Sequence, residues 1–238
     1  MRLEDLRRAI RLEWRVFGMT EGVGNPAFSL MPWEDDLYSR FLKPLDSVLV
    51  VGCGTGRDLV ALLKRGYRVD GLDVVPACTD VARRNLETQG LRAELHTGDI
   101  ETIPLPRTYD VFIFSWFCYS YIPQADSRIH VLRKVVAHLN PEGRILLSYV
   151  PRDPARRHLP VHVARLMARL SGSDWQPEYG DLIATSTRAD VRGLITHYVH
   201  EFLPQELEDE ARAAGLAVIF HQRGNEGLAV LAPRTGGQ

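Results

Sequence analysis

The chain has 238 residues, of which 45% are hydrophobic and 25% charged, and a formal net charge of -1 at pH 7. A near-neutral globular composition without a long apolar stretch gives no reason to expect a nucleic-acid or membrane partner, since neither polyanion would attract the chain as a whole. Three widely spaced cysteines fit neither a disulfide framework nor a metal site, and the charged N-terminus has no leader-like apolar run, so a reduced, cytoplasmic location is expected.

Residues 1–44 are predicted to form an N-terminal helical lid segment. Apolar residues recur at helical spacing over Leu3–Phe17, with Arg and Glu between them, which indicates an amphipathic helix. An irregular stretch rich in Gly and Pro follows over 22–33, and a second helix is predicted over 35–42.

Short apolar runs alternate with helical patterns between residues 45 and 150. The first run, Val48–Val51, stops at a glycine and is typical of a buried parallel strand. In chain order, further strands are predicted over 68–73, 92–96, 109–115 and 144–150, and helices over 57–65, 76–89 and 125–139. This alternation predicts an α/β fold with a mostly parallel Rossmann-like sheet covered by helices on both faces.

The alternation stops after residue 150 and resumes near residue 203. The interruption, 151–202, is too long for a connecting loop and is predicted to be a cap or substrate insertion. It holds a helical pattern near 161–170 and two strand patterns near 182–187 and 193–200. The remaining residues, 203–238, are predicted to complete the core sheet with one helix and two strands, over 204–214, 216–221 and 227–231.

A glycine-rich loop, Gly52-Cys53-Gly54-Thr55-Gly56, follows the first strand and precedes a helix. Glycine tolerates positive φ and lets a ligand approach the backbone, and the N–H groups that begin a helix favour electron-rich ligands. A Walker loop requires Lys where Arg57 stands, and a dinucleotide site requires a small residue there. Two interpretations of the loop remain: it binds a ligand that has no pyrophosphate, or it is a tight turn that binds no ligand.

Acidic residues end the next two strands. Asp73 lies 17 positions after Gly56, where a carboxylate can accept both hydroxyls of a ribose. Asp99 precedes Ile100 and could accept from an adenine amine while Ile100 packs on the ring. Either acid alone could be a turn residue, but the three strand-end features in this order indicate an adenosine whose tail is not a phosphate.

These residues resemble the class I S-adenosylmethionine-dependent methyltransferases, over 45–150 and, by pattern, over 203–232. The resemblance implies a seven-stranded sheet with a reversed last strand, S-adenosyl-L-methionine as cofactor and S-adenosyl-L-homocysteine as product. It implies that the cofactor is bound by Gly52, Cys53, Gly54, Gly56, Asp73, Val74, Asp99, Ile100, Ser115 and Trp116. Metal-dependent relatives place an acid where Ser115 and Trp116 stand, so no metal is expected. The missing Asn-Pro-Pro-Tyr type motif argues against methylation of nucleic-acid bases.

Methyl transfer from a sulfonium requires alignment and exclusion of water, and it requires a base only for an acceptor that is protonated at the working pH. An aromatic-walled pocket is therefore expected. Its predicted substrate-binding residues are Phe28, Trp33, Tyr119 and Tyr121. The predicted catalytic residues are His200, His197 and Tyr119.

The sequence thus predicts an enzyme that methylates a small molecule, on oxygen rather than nitrogen, as a monomer or homodimer. One alternative is a detoxifying methyltransferase of the thiol, halide or tellurite type, and another is a non-catalytic module that only binds the cofactor. A nicotinamide oxidoreductase is disfavoured by Arg57.

Overall fold

The computed structural model describes residues 2–20, 29–153, 161–187 and 194–234. The strands are β1 (Ser47–Val51), β2 (Arg68–Asp73), β3 (Leu95–Thr97), β4 (Tyr109–Phe114), β5 (Leu139–Tyr149), β6 (Asp181–Thr187), β7 (Leu194–His200), β8 (Leu216–Gln222) and β9 (Gly227–Pro233). The α-helices are α1 (Leu3–Thr20), α2 (Pro32–Phe41), α3 (Arg57–Lys64), α4 (Pro76–Thr88), α5 (Ala125–Val136), α6 (Val161–Leu170) and α7 (Pro204–Ala213).

Seven strands form one sheet in the order β3-β2-β1-β4-β5-β9-β8. The pairs from β3 to β5 are parallel, whereas β9 runs antiparallel to both β5 and β8. The predicted α/β sheet of seven strands with a reversed last strand is therefore confirmed. The carboxyl ends of β1, β2, β3 and β4 meet along one edge, which is where ligands bind in sheets of this kind.

Helices cover both faces of the sheet because side chains alternate along each buried strand. In β1, Leu49 and Val51 belong to the apolar cluster that includes residues of α5 and α7. Val48 and Val50 point to the opposite cluster, which includes residues of α2, α3 and α4. Burying a side chain of this size stabilises the fold by about 1.5–3 kcal/mol, so the strand anchors the loop that follows it.

Some boundaries differ from the predicted ones. Helix α2 begins at Pro32 rather than near residue 35, because the Glu34 side chain accepts the backbone N–H of Met31 at 2.8 Å and Pro32 suits the first helical turn. Strand β5 begins at Leu139 rather than at residue 144, and its pairing with β4 shifts register near this end. A short 3-10 turn, Cys118–Tyr121, follows β4 and was not predicted.

The insertion contributes α6 and a β6–β7 hairpin, which forms a separate two-stranded sheet. Tyr198 of β7 shares a small apolar cluster with Leu6 and Ile10 of α1, and Trp14 and Tyr121 pack against it. The first helix of the chain therefore packs on the insertion, beside the ligand-binding edge of the main sheet. Among the residues described, no helix combines the length and apolar character that crossing a bilayer requires.

Candidate functional site

A cavity lies at the carboxyl ends of β1, β2 and β4, with α1 on its far side. It offers about 170 Å³ to the centres of water-sized molecules. One water needs about 10–15 Å³ on that measure, so the space suits a ligand many times larger than water. Its lining combines the glycine loop, the residues that follow three strands, and one face of α1.

The glycine loop leaves room for a ligand. Gly52 has φ 72° and an added Cβ would lie 2.9 Å from the Cβ of Cys118, so a side chain does not fit there. Gly54 has φ 53° and an added Cβ would have nothing within 4 Å, so this position faces open space. The Thr55 hydroxyl is buried and has no hydrogen-bond partner among the described residues, which leaves a polar group for a ligand to satisfy.

Asp73 ends β2 and is held by the loop opposite it. Its Oδ2 accepts the backbone N–H of Gly54 at 2.8 Å, and its Oδ1 accepts that of Val75 at 2.8 Å. A carboxylate has about four lone-pair sites, so both oxygens can still accept from neighbouring hydroxyls. Burial raises the pKa of Asp73, while the two N–H bonds oppose that rise.

The third strand leads to Asp99 and Ile100, which lie opposite α1. Asp99 Oδ1 accepts the backbone N–H of Glu101 at 2.9 Å, and its Oδ2 lies 4.0 Å from the Nη1 of Arg11. Arg7 forms an ion pair with Glu101. These contacts place α1 over the side of the cavity where an adenine is expected.

Aromatic residues surround the other end of the cavity, after β4. Trp116 and Phe117 have φ of 46° and 60°, a region that costs energy for bulky residues and often marks functional loops. The Phe117 N–H donates to Ser148 Oγ at 2.8 Å, which helps to hold this conformation. Trp14 and Tyr121 meet edge to face at 4.8 Å between ring centroids. Their faces can attract a cationic group.

A buried charged cluster lies beside the glycine loop. The exposed fractions of Glu34, Arg57 and Asp58 are 0%, 5% and 2%. Arg57 Nε donates to Asp58 Oδ1 at 2.8 Å and Arg57 Nη2 pairs with Glu34. Asp58 Oδ2 accepts from Ser115 Oγ at 2.7 Å and from the Tyr38 hydroxyl at 3.2 Å. Burial, and secondly Asp58, raise the pKa of Glu34 to about 7 against the opposing effect of Arg57.

Nine of the ten residues predicted to bind the cofactor line the cavity. The exception is Gly56, which begins α3 with φ 93° and packs against Ala82. The open loop, the unpartnered Thr55 hydroxyl and the strand-end acids fit an adenosine with a non-phosphate tail. The binding roles of the individual residues, and the absence of a metal, stay predictions.

The predicted substrate residues are only partly brought together. Tyr121 lines the cavity. Trp33 does not line it, because its ring packs against Phe117 and Trp116 at centroid distances of 5.4 and 6.4 Å and so supports the wall from behind. Phe28 lies outside the described residues.

The three residues predicted to be catalytic do not line the cavity, and their catalytic role stays a prediction. His200 is fully buried, with Nδ1 2.8 Å from Asp181 and Nε2 2.9 Å from Glu206. Burial lowers the pKa of His200, but these carboxylate bonds outweigh it and the net pKa is raised. Both ring nitrogens are therefore already used.

His197 and Tyr119 are engaged elsewhere as well. His197 Nδ1 lies 2.6 Å from Glu13 of α1 and its Nε2 contacts Ser186, so this histidine ties the hairpin to the helix. Tyr119 donates to Glu210 at 2.7 Å and is fully buried, and burial followed by Glu210 raises its pKa well above the usual value. Tyr119 thus does not line the cavity, and its hydroxyl is bonded to Glu210.

The prediction missed two groups of lining residues. Four come from α1, namely Arg7, Ile10, Arg11 and Trp14, and two come from α3, namely Arg57 and Asp58. The helical periodicity of α1 indicated that one face of the helix is buried, but not that this face lines the cavity. Arg57 was considered only as evidence against other nucleotides, although its position directly after the glycine loop places it at the same edge of the sheet.

Comparisons with known proteins show which kind of domain the chain contains. Residues 48–143 match the model of a methyltransferase domain. A ubiquinone biosynthesis O-methyltransferase of Xanthomonas axonopodis pv. citri is 26% identical over 153 residues, which are 63% of this chain and 62% of that protein. A dTDP-4-amino-2,3,4,6-tetradeoxy-D-glucose N,N-dimethyltransferase of Saccharopolyspora spinosa is 27% identical over 184 residues, 73% of this chain and 70% of that protein. The chain thus spans about three fifths of the first of these relatives.

Solved structures share the fold. An S-adenosylmethionine-dependent methyltransferase from Clostridium acetobutylicum superposes with a TM-score of 0.61 at 12% identity, covering 84% of this chain and 89% of that one. CalS10, an amino pentose methyltransferase from Micromonospora echinaspora solved with S-adenosylmethionine bound, gives a TM-score of 0.56 at 22% identity, covering 83% and 86%. The methyltransferase domain matched over residues 48–143 and this sheet order support the resemblance to the class I S-adenosylmethionine-dependent methyltransferases.

Proposed function

We propose that this protein transfers the methyl group of S-adenosylmethionine to a small-molecule acceptor that enters beside Trp116 and Tyr121. The observation that carries the proposal is one continuous cavity. It joins the strand-end acids Asp73 and Asp99 to an aromatic chamber, which is the part of the cavity lined by Trp14, Trp116 and Tyr121. The names of the relatives, which include an O-methyltransferase and an N,N-dimethyltransferase, support a small acceptor.

The residues that would hold the donor divide the cavity between them. Asp73 accepts from the ribose hydroxyls, Asp99 accepts from the adenine amine, and Ile100 packs on its ring. When bound, the donor supplies an electrophilic methyl group on a sulfonium. The chain aligns the acceptor with that group and keeps water out, which is what an in-line displacement chiefly needs. Trp14 and Tyr121 close the chamber from the side of α1.

The ionisable groups near the chamber favour an acceptor that needs no strong base. Near Trp116, the described lining of the cavity includes the thiol of Cys118 and the hydroxyl of Tyr121. Burial raises the pKa of both groups well above their ordinary values, so both are protonated at neutral pH. A group with a raised pKa is a poor general base at neutral pH. We therefore favour a hydroxyl on a flat ring that is acidic enough to enter as its anion, such as an electron-poor phenol, with a neutral amine as the second choice.

Each predicted segment of the chain has its own role in the proposed function. Residues 45–150 bind the donor, 203–238 complete the sheet, and 1–44 together with 151–202 form the lid over the acceptor. The contact of Leu6 and Ile10 with Tyr198 supports a lid built from both segments.

The experiment is methyl transfer from radiolabelled S-adenosylmethionine to a panel that pairs phenols with the matching anilines and alkylamines. The panel also contains a thiol and a halide. We expect turnover of at least one phenol, its loss in Asp73→Ala, and full activity in Asp80→Ala, which alters an exposed residue of α4. Donor binding without transfer to any nucleophile would point to a non-catalytic module, and turnover confined to the thiol or the halide would point to a detoxifying enzyme.

A further inference from the structure

Helix α6 of the insertion presents its apolar side to solvent. Four large apolar side chains at the helical spacing i, i+3, i+4 and i+7 are 56–74% exposed and form the α6 stripe: Val163, Leu166, Met167 and Leu170. The buried residues of this helix, Val161 and Ala168, are smaller and lie on the opposite side. A surface helix of a soluble protein normally turns its apolar stripe toward the core, so an exposed stripe marks a contact surface.

Polar contacts hold α6 in this orientation. Arg165 Nε donates to the backbone carbonyl of Pro177 at 2.7 Å. The segment that follows the helix is joined to α1, since Asp174 accepts the backbone N–H of Leu3 at 2.7 Å and Trp175 packs against the small apolar cluster of α1 and β7. The outward direction of the stripe is therefore set by the fold.

The chain around α6 is basic, although the net charge of the whole chain is -1. Residues 152–169 contain five arginines and one acid, Asp153, and residues 154–160 of this segment lie outside the described structure. Helix α6 itself carries Arg165 and Arg169 and no acidic residue. At about 3.6 residues per turn both arginines fall on one flank of the stripe. The near-neutral total thus conceals a local positive surface.

An aromatic residue continues this surface. Tyr179 is 48% exposed, and its ring meets His162 of α6 edge to face at 6.1 Å between centroids. The guanidinium of Arg152 lies 5.3 Å from the centre of the same ring. A tyrosine has an apolar body and a polar tip, which suits the boundary between lipid headgroups and acyl chains.

The partner that covers the α6 stripe must match both its apolar and its basic side. A second copy of the chain would bring the arginines of two α6 helices together, and a stable interface buries about 800 Å² on each partner, more than four side chains of a ten-residue helix provide. A nucleic acid would match the arginines but leave the stripe uncovered. An anionic bilayer matches both, since it offers phosphates above an apolar interior.

We propose that α6 binds the surface of membranes that contain anionic phospholipid. The helix lies in the plane of the surface, its stripe enters the boundary between headgroups and acyl chains, and Arg165 and Arg169 contact the phosphates. A stripe of four side chains gives reversible binding. Among the described residues that line the cavity there is none from α6, so membrane binding and donor binding are separate properties.

The test is cosedimentation of the full chain with vesicles made of phosphatidylcholine alone or of an equal mixture with phosphatidylglycerol. We expect the mixed vesicles to bind at least about 10-fold more tightly, and added salt to weaken that binding by screening the charges. Leu166→Ser should weaken binding to the mixed vesicles by about 10-fold or more, because less apolar surface leaves water. Arg169→Gln should weaken it about fivefold.

Each variant has a control of matched exposure on another element. Ile219 of β8 is 55% exposed, compared with 56% for Leu166, and Arg212 of α7 is exposed in the same way as Arg169. Ile219→Ser and Arg212→Gln should bind the mixed vesicles like the wild type. Thermal unfolding of Leu166→Ser should occur at the wild-type temperature, because the replaced side chain is exposed.

Four results would overturn the proposal. The first is a wild type that does not sediment with the mixed vesicles, or that binds both kinds of vesicle equally. The second is an equal loss of binding in Leu166→Ser and Ile219→Ser, which would place the contact outside α6. The third is a dimer in analytical ultracentrifugation that Leu166→Ser dissociates, because a second copy would then cover the stripe. The fourth is tighter binding to a DNA duplex than to the mixed vesicles, which would assign the arginines to a nucleic acid.

Discussion

Replacing Asp73 by Asn tests the assignment of the donor site. The substitution preserves the shape of the side chain but turns one acceptor oxygen into an NH₂ donor. In the native site each oxygen already accepts a backbone N–H, from Gly54 and from Val75 at 2.8 Å. One of these N–H groups would then face a donor, which should lower the free energy of unfolding by about 1–3 kcal/mol.

The effect on binding should be larger than the effect on folding. A hydrogen bond to a charged group contributes about 1.5–3 kcal/mol, and two ribose hydroxyls are involved, so the donor should bind at least about 100-fold more weakly. Because the ribose is common to both, Asp73→Asn should weaken S-adenosylhomocysteine and 5′-methylthioadenosine by similar factors.

The assay is calorimetry with both compounds at a temperature where urea titration shows the variant fully folded. Asp80→Asn serves as the control, because Asp80 is exposed and pairs with Arg83 on the surface of α4, at 3.1 Å. An Asp73→Asn protein that is folded and binds both compounds with wild-type affinity would refute the ribose assignment.

Three further predictions concern stability and catalysis. Arg128→Met should lower the free energy of unfolding, measured by urea titration, by about 3–5 kcal/mol. The reason is that the buried carboxylate of Glu210 loses the positive charge of Arg128, which it contacts at 2.7 Å. A loss below about 1 kcal/mol would contradict this prediction. The pKa of Glu34 is raised to about 7 in the folded protein, so the folded state holds this proton more tightly than the unfolded state does. The resulting stabilisation is complete below the pKa of Glu34 in the unfolded chain and is lost as the pH rises to about 7. Glu34→Gln should therefore flatten the pH dependence of the unfolding free energy between about pH 5 and 7, by up to about 3 kcal/mol, and an unchanged slope would exclude this role. Tyr121→Phe should keep methyl transfer within about threefold in initial-rate assays, whereas a loss of about 100-fold or more would make the Tyr121 hydroxyl a proton acceptor.

The core of the fold could be predicted because its signals are local. The apolar run of β1 stops at glycines, and the acid at the end of β2 follows at a fixed distance. Such features depend on neighbouring residues and on the regular geometry of strand, turn and helix. They predicted that Asp73 and Asp99 lie at the same edge of the sheet, and both residues line the cavity there.

The contacts between distant segments could not be predicted in this way. The alternation along β7 gives the face on which His200 lies, but not that Asp181 and Glu206 take both of its nitrogens. In the same way, the periodicity of α1 does not reveal Tyr198 as its partner. Burial of a histidine and its pairing with acids depend on tertiary packing, so the sequence predicted the strand that carries His200 but not the partners of its side chain.

Helix α1 contacts two different parts of this protein. Its Arg7 and Arg11 face the acids of the adenine side, while its Glu13 is bonded to His197 of the hairpin. If the proposed function holds, we expect substitutions on this helix to affect both ligands, since a change that widens the entrance for a new acceptor would also weaken binding of the donor. Directed evolution toward other acceptors should spare the cavity face of α1 and diversify the hairpin instead, where adaptation does not trade one ligand against the other.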